Sequence, residues 1–411
     1  MSFEGVTVNK LNGGLGRSNP ADDNVFALCY AVAVAKLPPG TSHFHPVKLL
    51  QVRDAEQIGF TESFDANSNV LVHHTITEFF RLAPDAVLYL ILCPDQLTHT
   101  TIVQNPLFVT ALRETPDVKG FAIANTLTTV STIAEEVEPV QSVLSDMAAA
   151  HRLIDFVILE AKGPAAPLPI ANYPDLREKK APNVSVSIAQ DPGVAGLSAS
   201  YGKYADVGAV LGMLGARQVN ENLGSVNILQ KPSTRKGDRD YPLTDGGSRK
   251  WLTAALCDGT KVNSLSPADK RELTNKGYIY AGAYEGYGGI FFSSSPTCTE
   301  KASDYAYIEN NRVWNKAARL IRSTLLVEIK GVVKKDPRTG YIRSTTISRW
   351  SSLVNAALER MVAADEISGY DVFINPKQVL SEASPLIVTA RVQVDDIVHE
   401  ISVDLGLTNN L

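Results

Sequence analysis

The feature that most constrains this chain is a rhythm in its first half, where short, strongly apolar runs alternate with stretches of helical spacing. Ala86 to Cys93 is a continuous apolar run of strand type, and Val118 to Ala124, Phe156 to Leu159 and Val184 to Ala189 repeat the pattern. Between and around them, Phe108 to Arg113, Ile133 to Leu153 and Ala205 to Gln218 read as helices. So does the set Ile76, Phe79, Phe80 and Leu82, which Pro84 ends. Strands that are apolar on both sides cannot face water, so helices must cover the sheet on both faces. The expected fold is α/β, with a mixed sheet flanked by helices.

The flanking segments extend this plan. Val47 to Val52 reads as a buried strand, and Asp54 to Phe60 as a short helix or turn closing at Gly59. Val25 to Lys36 is expected as a helix, capped by Asp22, Asp23 or Asn24 and ended by Pro38-Pro39-Gly40. Residues 161–182 lack periodicity and read as a surface excursion. Residues 230–248 form a polar loop with too little apolar surface to offset the entropy of ordering.

The last third has a different grammar. Ser266 before Pro267, with Asp269 at the third helical position, marks a capped helix running to about Asn275. Strands follow at Tyr278 to Ala283 and Gly289 to Phe292, around the turn Glu285 to Gly288. A helix from Tyr307 to about Lys330 presents Ile308, Val313, Ala317, Leu320, Ile321, Thr324 and Leu325 on one face. After the polar turn Asp336 to Gly340, a second helix presents Ile347, Trp350, Leu353, Val354, Ala357, Leu358, Met361 and Val362. Strands at Tyr370 to Ile374 and Leu386 to Val394, and an alternation through Val398, Ile401, Val403 and Leu405, close the chain.

Composition excludes several function classes. The 39 basic and 44 acidic residues are interspersed and sum to a net charge of -5, which gives no footprint for nucleic acid. The four cysteines are far apart without a C-x-x-C pair, so reduced buried thiols are expected. No run approaches the about 20 apolar residues needed to span a bilayer. The first residues lack the basic-then-apolar pattern of a secretory signal, so folding in the cytoplasm without membrane insertion is expected.

No residue set carries a convincing chemistry. His43 with His45, and His73 with His74, lack further ligands at metal-site spacing. Ser293 to Ser295 sit before Pro296 without a G-x-S-x-G elbow. Glu135-Glu136 and Asp395-Asp396 are sequence neighbours that diverge into solvent, and Gly286, Gly288 and Gly289 read as turn residues. The run Lys10-Leu11-Asn12-Gly13-Gly14-Leu15-Gly16-Arg17-Ser18 resembles the nucleotide loop of UDP-sugar pyrophosphorylases, where backbone N–H groups can face phosphates. That loop continues Thr-x-Met-Gly in those enzymes, whereas Arg17 and Asn19-Pro20 stand here, and no Gly-Pro-Lys follows. A tight turn leaving an N-terminal arm is the alternative. No catalytic, cofactor or metal residue is assigned, and no enzymatic role is expected.

Three ordered segments carry a family resemblance. They are Leu273-Thr274-Asn275-Lys276-Gly277-Tyr278, Tyr284-Glu285-Gly286-Tyr287-Gly288-Gly289-Ile290-Phe291-Phe292, and Asp304 to Val313 with Tyr307-Ile308-Glu309 and Arg312. In this order the region 270–405 resembles the conserved domain of contractile phage tail sheath proteins. Upstream, Asp22-Asp23-Asn24-Val25, Asp54-Ala55 before Gly59, and His74 to Arg81 before Pro84 and Leu88-Tyr89-Leu90 resemble a sheath-like branch of tail proteins.

The resemblance implies a multi-domain subunit with extended arm strands. The divisions are an arm at 1–20, part of an inner core domain at 21–85, an outer α/β domain at 86–265, a C-terminal core domain at 266–385 and an arm at 386–411. It implies hexameric rings stacked helically around an inner tube protein, with baseplate and terminator proteins as further partners. Assembly in the cytoplasm would yield a virion tail or phage-tail-like particle. Arm strands would add to a neighbour's sheet, with Val6, Val8, Leu386, Val388, Val392, Val394, Ile401 and Val403 as the inter-subunit residues. Pairing of the same strands within one chain stays open, as does a ring-forming tail terminator or baseplate adaptor.

Overall fold

The computed structural model describes residues 23–232, 239–381, 384–403 and 405. The strands are β1 (Val25–Ala31), β2 (Pro46–Leu49), β3 (Val87–Cys93), β4 (Gly120–Ala124), β5 (Phe156–Glu160), β6 (Val184–Ser187), β7 (Ala189–Gln190), β8 (Ala255–Leu256), β9 (Tyr278–Ile279), β10 (Ala281–Gly282), β11 (Phe291–Phe292), β12 (Gly369–Ile374) and β13 (Val388–Gln393). Seven of them make one sheet in the order β2-β3-β1-β4-β5-β6-β9. Only β2 runs antiparallel to its neighbour, and all other pairs are parallel. Every residue of β1, β4, β5 and β6 is buried, as apolar strands covered on both faces require.

The helices are α1 (Val52–Gln57), α2 (Glu62–Ser68), α3 (Val72–Leu82), α4 (His99–Val103), α5 (Pro106–Glu114), α6 (Ile133–Ala149), α7 (Pro192–Ala195), α8 (Val207–Ala216), α9 (Pro267–Lys276), α10 (Ile308–Leu326) and α11 (Ser344–Ala363). None of them is long and apolar enough to cross a membrane. The capping box expected at Ser266 forms, with Asp269 N donating to Ser266 Oγ at 3.1 Å, and Gly277 closes α9 at φ +84°. Helix α8 is buried along its whole length and crosses α3 at backbone contact. A Cβ on Gly208 would lie 2.3 Å from the Thr75 carbonyl oxygen, so only glycine permits the approach.

One expectation needs correction. Val25 to Ala31 is the central strand β1, and only Val34–Lys36 forms a single helical turn. The run Val-Phe-Ala-Leu-Cys-Tyr-Ala has no polar face to turn to solvent, and periodicity alone does not separate a buried helix from a buried strand. The divisions at 85/86 and 265/266 also fall inside the seven-stranded sheet. β1 and β2 lie on one side of the first, β3 to β6 on the other, and β9 beyond the second. Parallel pairing of β1 with both β3 and β4 makes these strands one body.

A second unit begins at α10. Helices α10 and α11 pack against the antiparallel hairpin β12–β13 around Val313, Ala317, Val354, Leu358, Met361 and Ile367, with Val219 contributed by the first unit. Polar side chains of α10 reach back to the main sheet. Asn311 Nδ2 donates to Pro182 O at 2.8 Å, Arg312 Nη1 to Leu214 O at 3.1 Å, and Asn315 Nδ2 to Asp155 Oδ1 at 2.9 Å.

Candidate assembly interface

The hairpin β12–β13 is a two-stranded sheet with no third strand among the described residues. Its register pairs Gly369 with Gln393 and Ile374 with Val388, and β13 has no second strand partner among the described residues. Alternation sets its two faces. Val388, Ala390 and Val392 are half-buried, whereas Thr389, Arg391 and Gln393 are exposed. Beside β13 runs a groove of about 550 Å³, walled by Val313, Trp314, Ala317 and Ile321 of α10 and by Ala390 and Val392 of the strand. An edge strand with unpaired N–H and C=O groups beside an apolar groove can accept one more strand, whose alternate side chains would fill the groove.

Past β13 the described residues form no helix or strand and carry exposed apolar side chains. Asp395 fixes the start of this tail, accepting from Ser368 Oγ at 2.5 Å and from Asn220 Nδ2 at 2.7 Å. Val398, Ile401, Val403 and Leu405 are then 73%, 77%, 77% and 90% exposed, values that no ordinary monomer surface requires of four large apolar residues in sequence. His399 stacks on Tyr307 at 5.0 Å between ring centroids, and Arg177 lies over the same Tyr307 ring at 5.6 Å.

The sequence-predicted arm residues thus separate into groups. Leu386 and Val388 pack against the cluster of Ile342, Ile347, Trp350 and Ile374, and Val392 packs into the α10–α11 core. Val394 lines the groove, and Ile401 and Val403 stand in solvent. Val6 and Val8 lie outside the described residues. Sequence reasoning missed Trp314, which is half exposed on the groove wall. An aromatic residue one position off the apolar face of α10 was the available signal.

The other candidates have structural partners. His43 Nε2 lies 2.9 Å from Val32 O, His73 3.3 Å from Glu56 and His74 3.1 Å from Asp206. Among the described residues no group of three or more His, Cys, Asp or Glu could hold a metal ion. Ser295 is buried and donates to Glu309 at 2.5 Å, while Asn222 Nδ2 donates to the other Glu309 oxygen at 2.7 Å. Burial raises the Glu309 carboxyl despite both bonds. All four cysteines are free and buried, and burial pushes the Cys298 thiol up to about 12.

Doubly wound sheets bind ligands beyond the carboxyl ends of the strands where the strand order reverses, here between β1 and β4. That crevice is a cavity of about 190 Å³ whose wall includes Asn125, Glu160 and Lys162, bound to one another and to the backbone. Asn125 Nδ2 donates to Ala31 O at 2.8 Å, and Lys162 Nζ donates to Asn125 Oδ1 at 2.7 Å. The Glu160 carboxylate accepts from the N–H groups of Asn125 and Ala205. The Gly13 to Gly16 loop lies outside the described residues.

Residues 3–296 match the family described as DUF2586, N-terminal domain, and residues 304–411 match DUF2586, C-terminal domain. The chain belongs to the DUF2586 family. The break between its two DUF2586 domains falls just before α10, where the second structural unit starts. No curated protein matches the sequence.

Among solved structures, the DUF2586 chain is similar over 99% of its length to 99% of a chain of the anti-feeding prophage baseplate, 6-fold symmetrised, at 12% identity and a TM-score of 0.58. It is similar over its full length to 98% of a chain of the PVC sheath complex in the contracted state, an extracellular contractile injection system, at 13% identity and a TM-score of 0.57. A chain of the anti-feeding prophage baseplate in the contracted state gives 13% identity, full coverage of both chains and a TM-score of 0.58. At such identity the likeness is one of fold. The mixed α/β architecture read from the sequence is thus shared, end to end, with chains of contractile injection machines.

Proposed function

We propose that the chain is the structural subunit of a contractile tail sheath. It polymerises as hexameric rings stacked helically around an inner tube and contracts to drive that tube through a target envelope. The observation that carries this is the edge of β13, unpaired among the described residues, beside an apolar groove and followed by apolar side chains that stand in solvent. The full-length likeness of fold to a chain of a contracted sheath complex supports the same reading.

In this mechanism arm strands join one subunit to the next by main-chain hydrogen bonds, which survive rotation of the domains they connect. The edge of β13 receives a strand, and the segment beyond Asp395 donates one together with the N-terminal residues around Val6 and Val8. Contraction needs no nucleotide, because an extended polymer can be a metastable state that relaxes subunit by subunit. The role is mechanical rather than enzymatic. Assembly takes place in the cytoplasm, and the product is a virion tail or phage-tail-like particle that also engages baseplate and terminator proteins.

Truncation after Asp395 tests the proposal. The shortened chain should fold with unchanged circular dichroism yet sediment as a monomer at concentrations where the intact chain polymerises. Equal polymerisation of both would contradict a role for the tail. Two of the similar structures are of a baseplate, which favours a second reading in which the chain forms one ring and stops. A ring of fixed mass that does not grow with concentration would support that reading.

A further inference from the structure

The connection from α10 to α11, residues 327–343, is apolar and basic at once. Leu326, Val327, Ile329 and Val332 stand in solvent, Val332 at 95% exposure. Lys330, Lys334, Lys335 and Arg338 are exposed beside them, and none has a side-chain partner among the described residues. Between 326 and 349, Lys330, Lys334, Lys335, Arg338, Arg343 and Arg349 outnumber Glu328 and Asp336. Both acids are already satisfied from within. Glu328 accepts from Arg349 Nη1 at 2.8 Å and Trp350 Nε1 at 3.0 Å, and Asp336 accepts from the N–H groups of Arg338 and Thr339, each at 2.9 Å. The surplus of positive charge is open to an outside partner.

The tail has the complementary character. Residues 395–403 hold Asp395, Asp396 and Glu400 and no Lys or Arg, with Val398, Ile401 and Val403 exposed between and after them. Asp396 and Glu400 are exposed without a side-chain partner among the described residues. Spacing matches as well as charge. Lys330, Val332 and Lys334 are two residues apart, as are Asp396, Val398 and Glu400, and an extended tail puts its three side chains on one face.

A chain's own tail is in the wrong place for this contact. His399 stacks on Tyr307, the residue before α10, and the 19 residues of that helix carry the chain about 28 Å away to the loop. Glu400 directly follows His399, so a second copy has to supply it. The loop is also continuous with the β13 groove, because Val333 packs with Leu386 and Val388 where β13 starts. A strand laid along β13 therefore leaves the groove over the loop.

On the sheath role proposed above, we infer that the α10–α11 loop is the docking surface for the tail of a second copy. Lys330 and Lys334 face its Asp396 and Glu400, and Val332 meets its Val398. The charges select the partner segment, and the apolar side chains are covered when it seats.

A fluorescent synthetic peptide of residues 394–403 tests this with the full-length chain, at a dilution where the chain is monomeric. Lys330→Glu with Lys334→Glu should weaken peptide binding about tenfold with unchanged circular dichroism. A peptide with Asp396→Lys and Glu400→Lys should bind the unsubstituted chain about tenfold more weakly, and should recover to within about threefold on the charge-reversed loop. Equal binding of the natural peptide to both chains would overturn the inference, as would loss in each arm without recovery in the combination. Vesicles of phosphatidylserine that retain the chain through these lysines, with peptide binding unchanged by the substitutions, would overturn it too and give the loop to a membrane surface. The peptide assay needs no polymer. A chain that binds the peptide through the loop yet never polymerises contradicts the sheath role alone, whereas polymerisation undiminished by the reversed loop contradicts the docking surface alone.

Discussion

Arg319 grips Asp155 with two hydrogen bonds, Nη1 to Oδ1 at 2.6 Å and Nη2 to Oδ2 at 3.2 Å, and so fastens α10 to the residue that opens β5. Asp155 is only 1% exposed, and its carboxylate also accepts from Asn315 Nδ2. The pair ties the two units together at a buried carboxylate. Arg319→Ala leaves a buried carboxylate short of its charge partner. A loss of about 3 kcal/mol in urea unfolding is expected. Arg319→Lys keeps the charge without the fork and should recover less than half of it.

The α3–α8 crossing gives a second expectation. The Cβ added by Gly208→Ala would press on a backbone oxygen that cannot swing aside, so the helices must separate. The expected cost is about 3 kcal/mol, seen as a lower Tm. Gly246→Ala, whose added Cβ meets nothing within 4 Å, should change stability by less than about 0.5 kcal/mol.

His99 gives the chain a defined sensitivity to acid. Its Nε2 donates to Glu160 O at 2.8 Å, its Nδ1 is buried without a partner, and burial lowers its pKa from 6.5 to about 4. The folded state therefore holds the proton less well than the unfolded chain. The stability tied to His99 is full above about pH 6.5 and is lost as pH falls towards 4, by at most about 3 kcal/mol. His99→Gln keeps a donor for Glu160 O and removes the titration. Between pH 7 and pH 4 its unfolding free energy should fall by about 3 kcal/mol less than that of the unsubstituted chain. Parallel pH profiles would contradict this.

The exposed tail should matter for assembly and not for the fold. Val398→Asp with Ile401→Asp changes two side chains that are already in solvent, so stability should move by less than about 0.5 kcal/mol. Polymer formation should be lost, because aspartate cannot enter an apolar groove without a partner. Trp314→Ser on the groove wall should give the same split between unfolding and sedimentation.

Much of this architecture could be read from residue pattern. The box at Ser266 and Asp269, the faces of α10 and α11, and the strands β3, β5, β12 and β13 sit within a few residues of their sequence positions, because period and capping are local signals. β1 was misread because Val25 to Ala31 is apolar at every position, and burial on both faces erases the period that separates helix from strand. The inter-unit ties at Asp155 with Arg319, and at Asp23 with Lys316 and Glu366, had no local signal, since their partners are 164, 293 and 50 residues apart. Along the tail, Val398, Ile401 and Val403 are plain in the sequence as apolar residues among polar ones. The groove that faces β13 is not, because a groove belongs to two elements and its wall residue Trp314 lies off the helix face that a periodicity search selects.

The central claim is polymerisation into a sheath, and electron microscopy of the purified full-length chain, alone and co-expressed with an inner tube protein, tests it most directly. Long tubes with a striated wall of stacked six-fold rings are the expected result. A monodisperse monomer that persists at high concentration, with the tube protein present, would contradict the account.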